Sequence, residues 1–185
     1  MIVLLHVLAV APALQAGELL NLRVVHEDGV YQLSADVIID APAADVHSRL
    51  TDYANLTALN PSIRRSEVLE APPAFDARVR TLIEACVLMY CKTLQRVEDV
   101  RASPDRLLAV IVPEQGNFSA GRTQWLLEPR GTQVLVRYRA ELVPDFTLPP
   151  VIGTTLVRQA LARELRTVLQ RLERLAQSSS PPSRG

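Results

Sequence analysis

The chain has 185 residues, with twenty Lys and Arg against twenty Asp and Glu, and an apolar fraction of 48% that includes only eight aromatic side chains. That length is enough for one domain with a substantial core. Zero net charge removes the bulk attraction on which binding to nucleic acid or to an anionic surface depends. The interior is therefore mostly Leu, Val, Ile and Ala, which suits plain packing and an apolar ligand equally well.

The first sixteen residues are an apolar run ending in small side chains, with Ala11-Pro-Ala13 and Leu14-Gln-Ala16 as cleavage-type sequences. The run is too short to cross a bilayer as a helix, and no Lys or Arg precedes its apolar part. We expect an export leader over residues 1–16 and a periplasmic or secreted mature chain. A buried strand or helix of a cytoplasmic protein is the alternative. Residues 17–177 are expected to form the single domain, followed by a disordered Ser/Pro tail over 178–185.

Residues 19–25 and 30–39, around Glu27-Asp28-Gly29, read as a β-hairpin with an Asp-Gly turn. Its second arm places Tyr31, Leu33, Ala35, Val37 and Ile39 on one face. The next segment predicts two short helices. Asp40 is a candidate cap, Pro42 stands near the first helical position, and Asp45 meets the positive helix start. Strands are then expected over 63–70, 78–85, 92–101, 107–112, 118–128 and 132–143. In 78–85, Val79, Thr81, Ile83 and Ala85 share a face. Trp125 lies with Thr123 and Leu127, and Val134, Val136, Tyr138, Ala140 and Leu142 oppose Arg137, Arg139 and Glu141.

From 150 to 176 the apolar period becomes helical, with Val157, Leu161, Leu165, Val168, Leu172 and Leu175 forming the stripe. Arg158, Arg163, Arg166, Arg171 and Arg174, interleaved with Glu164 and Glu173, are expected to form a solvated face. The only cysteines, Cys86 and Cys91, flank Val87-Leu-Met-Tyr90. In an exported chain this pair reads as a disulfide closing a hairpin, and otherwise as two buried thiols. The tip between them is apolar where Gly, Asn or Asp is usual, so Val87, Leu88, Met89 and Tyr90 are candidates for contact with a membrane or a partner protein. His6, His26 and His47 are the only histidines, and no metal-ligand spacing, cofactor motif or Ser-His-acid arrangement stands out. The expected metal and cofactor sets are accordingly none.

The order β-β-α-α followed by six strands and one long helix gives an α+β class. An antiparallel sheet must cover one apolar face, and only the terminal helix is long enough to do so, so the sheet should curl around it. That order resembles the START-related (SRPBCC) superfamily of polyketide cyclases, as do the stretches Val37-Ile-Ile-Asp-Ala-Pro-Ala-Ala-Asp-Val46, Leu50-Thr-Asp-Tyr53, Leu59-Asn-Pro61 and Val143-Pro-Asp-Phe-Thr-Leu-Pro-Pro-Val-Ile-Gly153. Within it, residues 31–176 are similar to coenzyme Q-binding START-domain proteins and their secreted bacterial relatives. The resemblance implies a helix-grip fold with a cavity for a lipid, quinone, sterol or polyketide. Lining residues expected from the inward faces are Val79, Ile83, Thr123, Trp125, Val136, Tyr138, Val157 and Leu161, with Tyr53, Leu56 and Leu59 closing one end. The expected function is non-enzymatic carriage of a hydrophobic small molecule by a monomer. The alternatives are a ligand-free interaction module at the cell envelope and a polyketide-cyclase-like enzyme.

Overall fold

A computed structural model describes residues 17–147 and 152–178. The expected leader and all of the tail beyond Ser178 lie outside the described residues. Strands β1 (Glu18–Glu27) and β2 (Val30–Ile39) lead into helix α1 (Ala43–Leu50), a 3-10 turn (Tyr53–Asn55) and helix α2 (Leu56–Leu59). Strands β3 (Ile63–Leu69), β4 (Ala77–Val87), β5 (Tyr90–Ser103), β6 (Arg106–Ile111), β7 (Phe118–Arg130) and β8 (Gln133–Pro144) follow, and helix α3 (Thr154–Gln177) comes last. All strands join one eight-stranded antiparallel sheet in the order β1-β2-β8-β7-β6-β5-β4-β3. The pair β2–β8 brings the early and late strands together, and the α1–α2 segment carries the chain from there to the far edge at β3. This is the helix-grip architecture, with the curved sheet holding α3.

Turn chemistry sets the first hairpin. Asp28 and Gly29 have φ of 49° and 80°, the left-handed pair that a two-residue connection needs to match strand twist. The face pattern of β2 follows the expectation, since Tyr31, Leu33, Ala35, Val37 and Ile39 are all buried.

Helix α1 starts differently from the sequence expectation. Pro42 occupies the N-cap itself, and no side chain caps the helix. The backbone N–H of Asp40 instead donates to Glu173 Oε1 at 3.3 Å. Asp45 does sit in the first turn. At the other end of the chain α3 begins at Thr154 behind Gly153, not at residue 150, and residues 148–151 lie outside the described part. The apolar period starts only at Val157, so it could not place the first turn.

The core is divided. One cluster joins β1, β2, β8 and α1 to Leu165, Val168, Leu169, Leu172 and Ala176 in the C-terminal half of α3. Two small clusters form elsewhere on the sheet, around Ala77, Val79 and Val100, and around Leu94, Ile111 and Phe118. Along the N-terminal half of α3, Val157 and Leu161 are only partly buried. Satellite clusters beside a main core are ordinary; the distinguishing feature is that α3 seals against one half of the sheet while its N-terminal half leaves Val157 and Leu161 only partly covered.

The expected solvated face of α3 needs correction. Arg163, Arg166 and Arg174 are exposed, but Glu173 is 3% exposed. It accepts hydrogen bonds from the backbone N–H of Gly17 at 2.5 Å and of Asp40. A Cβ on Gly17 would lie 2.3 Å from the Ile38 carbonyl oxygen, so only glycine brings the backbone this close to the carboxylate. Glu164 is half-buried and turned toward the sheet. Two backbone donors at the strand ends require an acceptor there, and the helix supplies it.

Candidate ligand cavity

Between α3, α2 and the inner face of the sheet lies a cavity of about 1050 Å³. Strand alternation decides which side chains reach it. On β4 they are Val79 and Ile83, on β7 Thr123 and Trp125, and on β8 Tyr138. The helix adds Val157 and Leu161, and the α1–α2 segment adds Tyr53, Leu56 and Leu59. Val136 has a different place. It is fully buried in the main core, opposite Val37 and Leu127, where the C-terminal half of α3 closes the sheet, and it does not line the cavity.

Trp125 and Tyr138 are cross-strand partners with ring centroids 4.5 Å apart and planes tilted by 58°. Such aromatic pairs hold each other in place beyond their area burial. Burial pushes the Tyr138 phenol up to about 12; the nearby Arg96 and a hydrogen bond with Thr123 oppose the rise, and Glu98 adds to it. Burial likewise raises Tyr53, with Asp76 contributing, and Tyr31. The phenols of this region therefore stay neutral through the physiological range.

The sequence expectation missed the charged part of the lining. On β5 the inward residues are Lys92, Leu94, Arg96, Glu98 and Val100. Arg96 Nε lies 3.0 Å from Glu98 Oε2, an ion-pair contact without hydrogen-bond geometry. Glu98 is 8% exposed. Alternation in this strand is ambiguous, because Val97 and Asp99 on the other face are as buried as their inward neighbours. Asp99 is engaged there by Arg78, with Nε to Oδ1 at 2.6 Å and Nη2 to Oδ2 at 2.8 Å. Arg122 and Gln124 lie on that outer face, on the opposite side of β7 from Trp125.

The lining extends to the β4–β5 hairpin through Ala85, Cys86, Val87 and Tyr90. Cys86 and Cys91 are directly opposed in the register and joined by a disulfide, with Cα atoms 4.1 Å apart. Val87 and Tyr90 belong to the strands, so the tip is only Leu88 and Met89. Leu88 has φ of 55°, a conformation that costs a non-glycine residue about 1–2 kcal/mol. Leu88 is 74% exposed and Met89 fully exposed. Lys92 folds back over the Phe146 ring, its ammonium 4.5 Å from the centroid. Among the described residues no group of His, Cys, Asp and Glu is arranged to hold a metal ion.

A family model described as polyketide cyclase / dehydrase and lipid transport matches residues 31–177. The chain belongs to this family. No curated protein matches the chain. Among solved structures, the chain resembles a protein from Thermus thermophilus at TM-score 0.65 and 21% identity, covering 81% of this chain and 99% of that one. It also resembles the Zhui aromatase/cyclase from Streptomyces sp. R1128, at TM-score 0.66 and 15% identity over 84% and 99%. A STAR-related lipid transfer protein from Xanthomonas axonopodis matches at TM-score 0.63 and 17% identity over 88% and 99%. At these identities the likeness is one of fold. The family and its fold provide a hydrophobic ligand-binding framework, to which this chain's own cavity corresponds.

Proposed function

We propose that the protein binds and carries a hydrophobic small molecule of lipid, quinone or isoprenoid type, without chemical conversion. The observation that supports this reading is the division of the core, which leaves about 1050 Å³ between α3 and the sheet. That volume lies at the upper end of small-molecule sites, whose walls are mostly apolar with a few polar groups. Tyr53, Leu56, Leu59, Val79, Ile83, Thr123, Trp125, Tyr138, Val157 and Leu161 are the proposed contacts. The lipid-transfer protein among the structural neighbours lends this reading support.

Extraction of the purified protein followed by mass spectrometry, together with quenching of the single Trp125 by added ligand, tests the proposal. A co-purifying apolar molecule and saturable quenching are the expected results. Extracts free of such molecules and no saturable change with lipids, quinones or isoprenoids would refute it.

Export fits the same reading. A disulfide closes the exposed hairpin, as an oxidising compartment permits. Residues 1–16 are proposed as the leader, with a mature start near Gly17 that keeps the Gly17 nitrogen in place to donate to Glu173. N-terminal sequencing that returned Met1 from the native host would overturn this. Leu88 and Met89 are proposed to touch the membrane from which the ligand is drawn, since they are exposed where the lining reaches the hairpin.

A further inference from the structure

An aliphatic cavity has no need of charge, yet β5 turns Arg96 and Glu98 into this one. Taking such a pair out of water is costly for each ion, and mutual attraction recovers this only when the remaining polar atoms are satisfied. Here they are not. Glu98 is more than nine-tenths buried, and the protein supplies no hydrogen-bond partner to its Oε1. Glu164, which faces the same space from α3, likewise has an unpartnered Oε1, and the Tyr53 hydroxyl is also unpartnered. Arg96 Nε, which meets Glu98 only as an ion pair, is unpartnered as well. Buried polar groups in folded proteins are nearly always paired, so four in one cavity call for a partner.

The sign of the imbalance narrows what that partner is. Two carboxylates face one guanidinium, so the charge imbalance is negative, and the unmet set holds both acceptors and the Arg96 Nε donor, which a hydroxyl can serve together. Other charged lining residues are engaged or placed toward solvent: Arg64 pairs with Glu84, Lys92 sits over Phe146, and Arg163 is exposed. A ligand with a donating O–H satisfies Glu98 Oε1 without bringing charge. A ligand carboxylate adds a third negative group beside a single cation.

We propose that the cavity selects a neutral amphiphile whose polar end is an alcohol or phenol hydroxyl that donates to Glu98, and that it discriminates against the carboxylic acid of the same chain. This inference rests on the carrier reading and specifies the ligand's polar end. The hydrocarbon tail runs along Val157 and Leu161, and Trp125 beside Tyr138 reports its arrival. Arg96 holds Glu98 in place through Oε2, which leaves Oε1 for the ligand.

The test compares farnesol, farnesoic acid and farnesene, which share one isoprenoid chain, by Trp125 fluorescence on the full chain. Farnesol should bind about tenfold or more tightly than either of the others, the usual scale of one hydrogen bond to a charged group. Glu98→Gln should narrow the gap between alcohol and acid. Because that variant leaves Arg96 unpaired, the double variant Arg96→Met, Glu98→Leu is examined beside it. Replacing both partners by apolar side chains preserves folding in comparable buried pairs. It should retain farnesene binding and lose the preference for farnesol. Equal binding of all three by the wild type, or a tenfold preference for farnesol that survives in the double variant, overturns the hydroxyl assignment and leaves the carrier reading standing. Failure of all three to bind also overturns this assignment, whereas the carrier reading falls only if extracts are empty and lipids and quinones too give no saturable change.

Discussion

Two glutamates on α3 should respond in opposite ways to truncation. Glu173 is 3% exposed and accepts the backbone N–H groups of Gly17 and Asp40 at 2.5 and 3.3 Å. Glu164 has an oxygen with no partner. Each hydrogen bond to a charged group contributes about 1.5–3 kcal/mol, and the longer of the two at Glu173 belongs at or below the bottom of that range. Glu173→Ala should therefore destabilise by about 3 kcal/mol, since two buried donors lose their acceptor. Glu173→Gln, which keeps one neutral acceptor, should cost about 1 kcal/mol. Glu164→Ala removes a carboxylate that is desolvated without recompense, so it should be neutral or slightly stabilising. Urea denaturation followed by circular dichroism measures all three, with unchanged m-values as the check that the unfolded states are comparable. Equal destabilisation by Glu173→Ala and Glu164→Ala would refute the argument, because it would mean that helix propensity or overall charge, not the capture of two backbone donors, sets the cost.

Tyr138 should resist ionisation until about pH 12. Its folded pKa is raised, so its contribution to stability is complete below the unfolded value near 10 and is lost as the pH climbs toward 12, by up to about 3 kcal/mol; alkaline absorbance and melts of Tyr138→Phe, which should lack this loss, check it. Thiol titration of denatured, unreduced protein from an oxidising compartment should find no free thiol. Because the loop is short, replacing both cysteines by serine should lower stability by only about 2 kcal/mol in urea melts. Leu88→Gly should relieve the positive-φ cost and raise stability by about 1 kcal/mol in the same melts. The same change should weaken association with phospholipid vesicles in flotation, and unchanged flotation would remove the tip from membrane contact.

Local chemistry made much of the architecture legible. Period-two alternation in 78–85, 118–128 and 132–143 identifies the inward residues because one face there carries no charged side chain, and the spacing of Val157 through Leu172 identifies the inner side of α3. The Asp28-Gly29 turn and the cross-strand cysteines are visible for the same reason, since each depends on a few neighbouring residues. Three features belong to the tertiary structure alone. Strand β5 carries charged and apolar side chains on both faces, so its inward Arg96 and Glu98 become evident only when the register with β4 and β6 sets its orientation. Glu173 reads as a surface residue until the ends of β1 and β2 bring the Gly17 and Asp40 amides to it. Val136 and Tyr138 share one face of one strand, yet one is solid core and the other lines the cavity. Alternation specifies the face of a residue, whereas the distance at which α3 crosses above it, set by packing far along the chain, decides whether that face meets a side chain or open space.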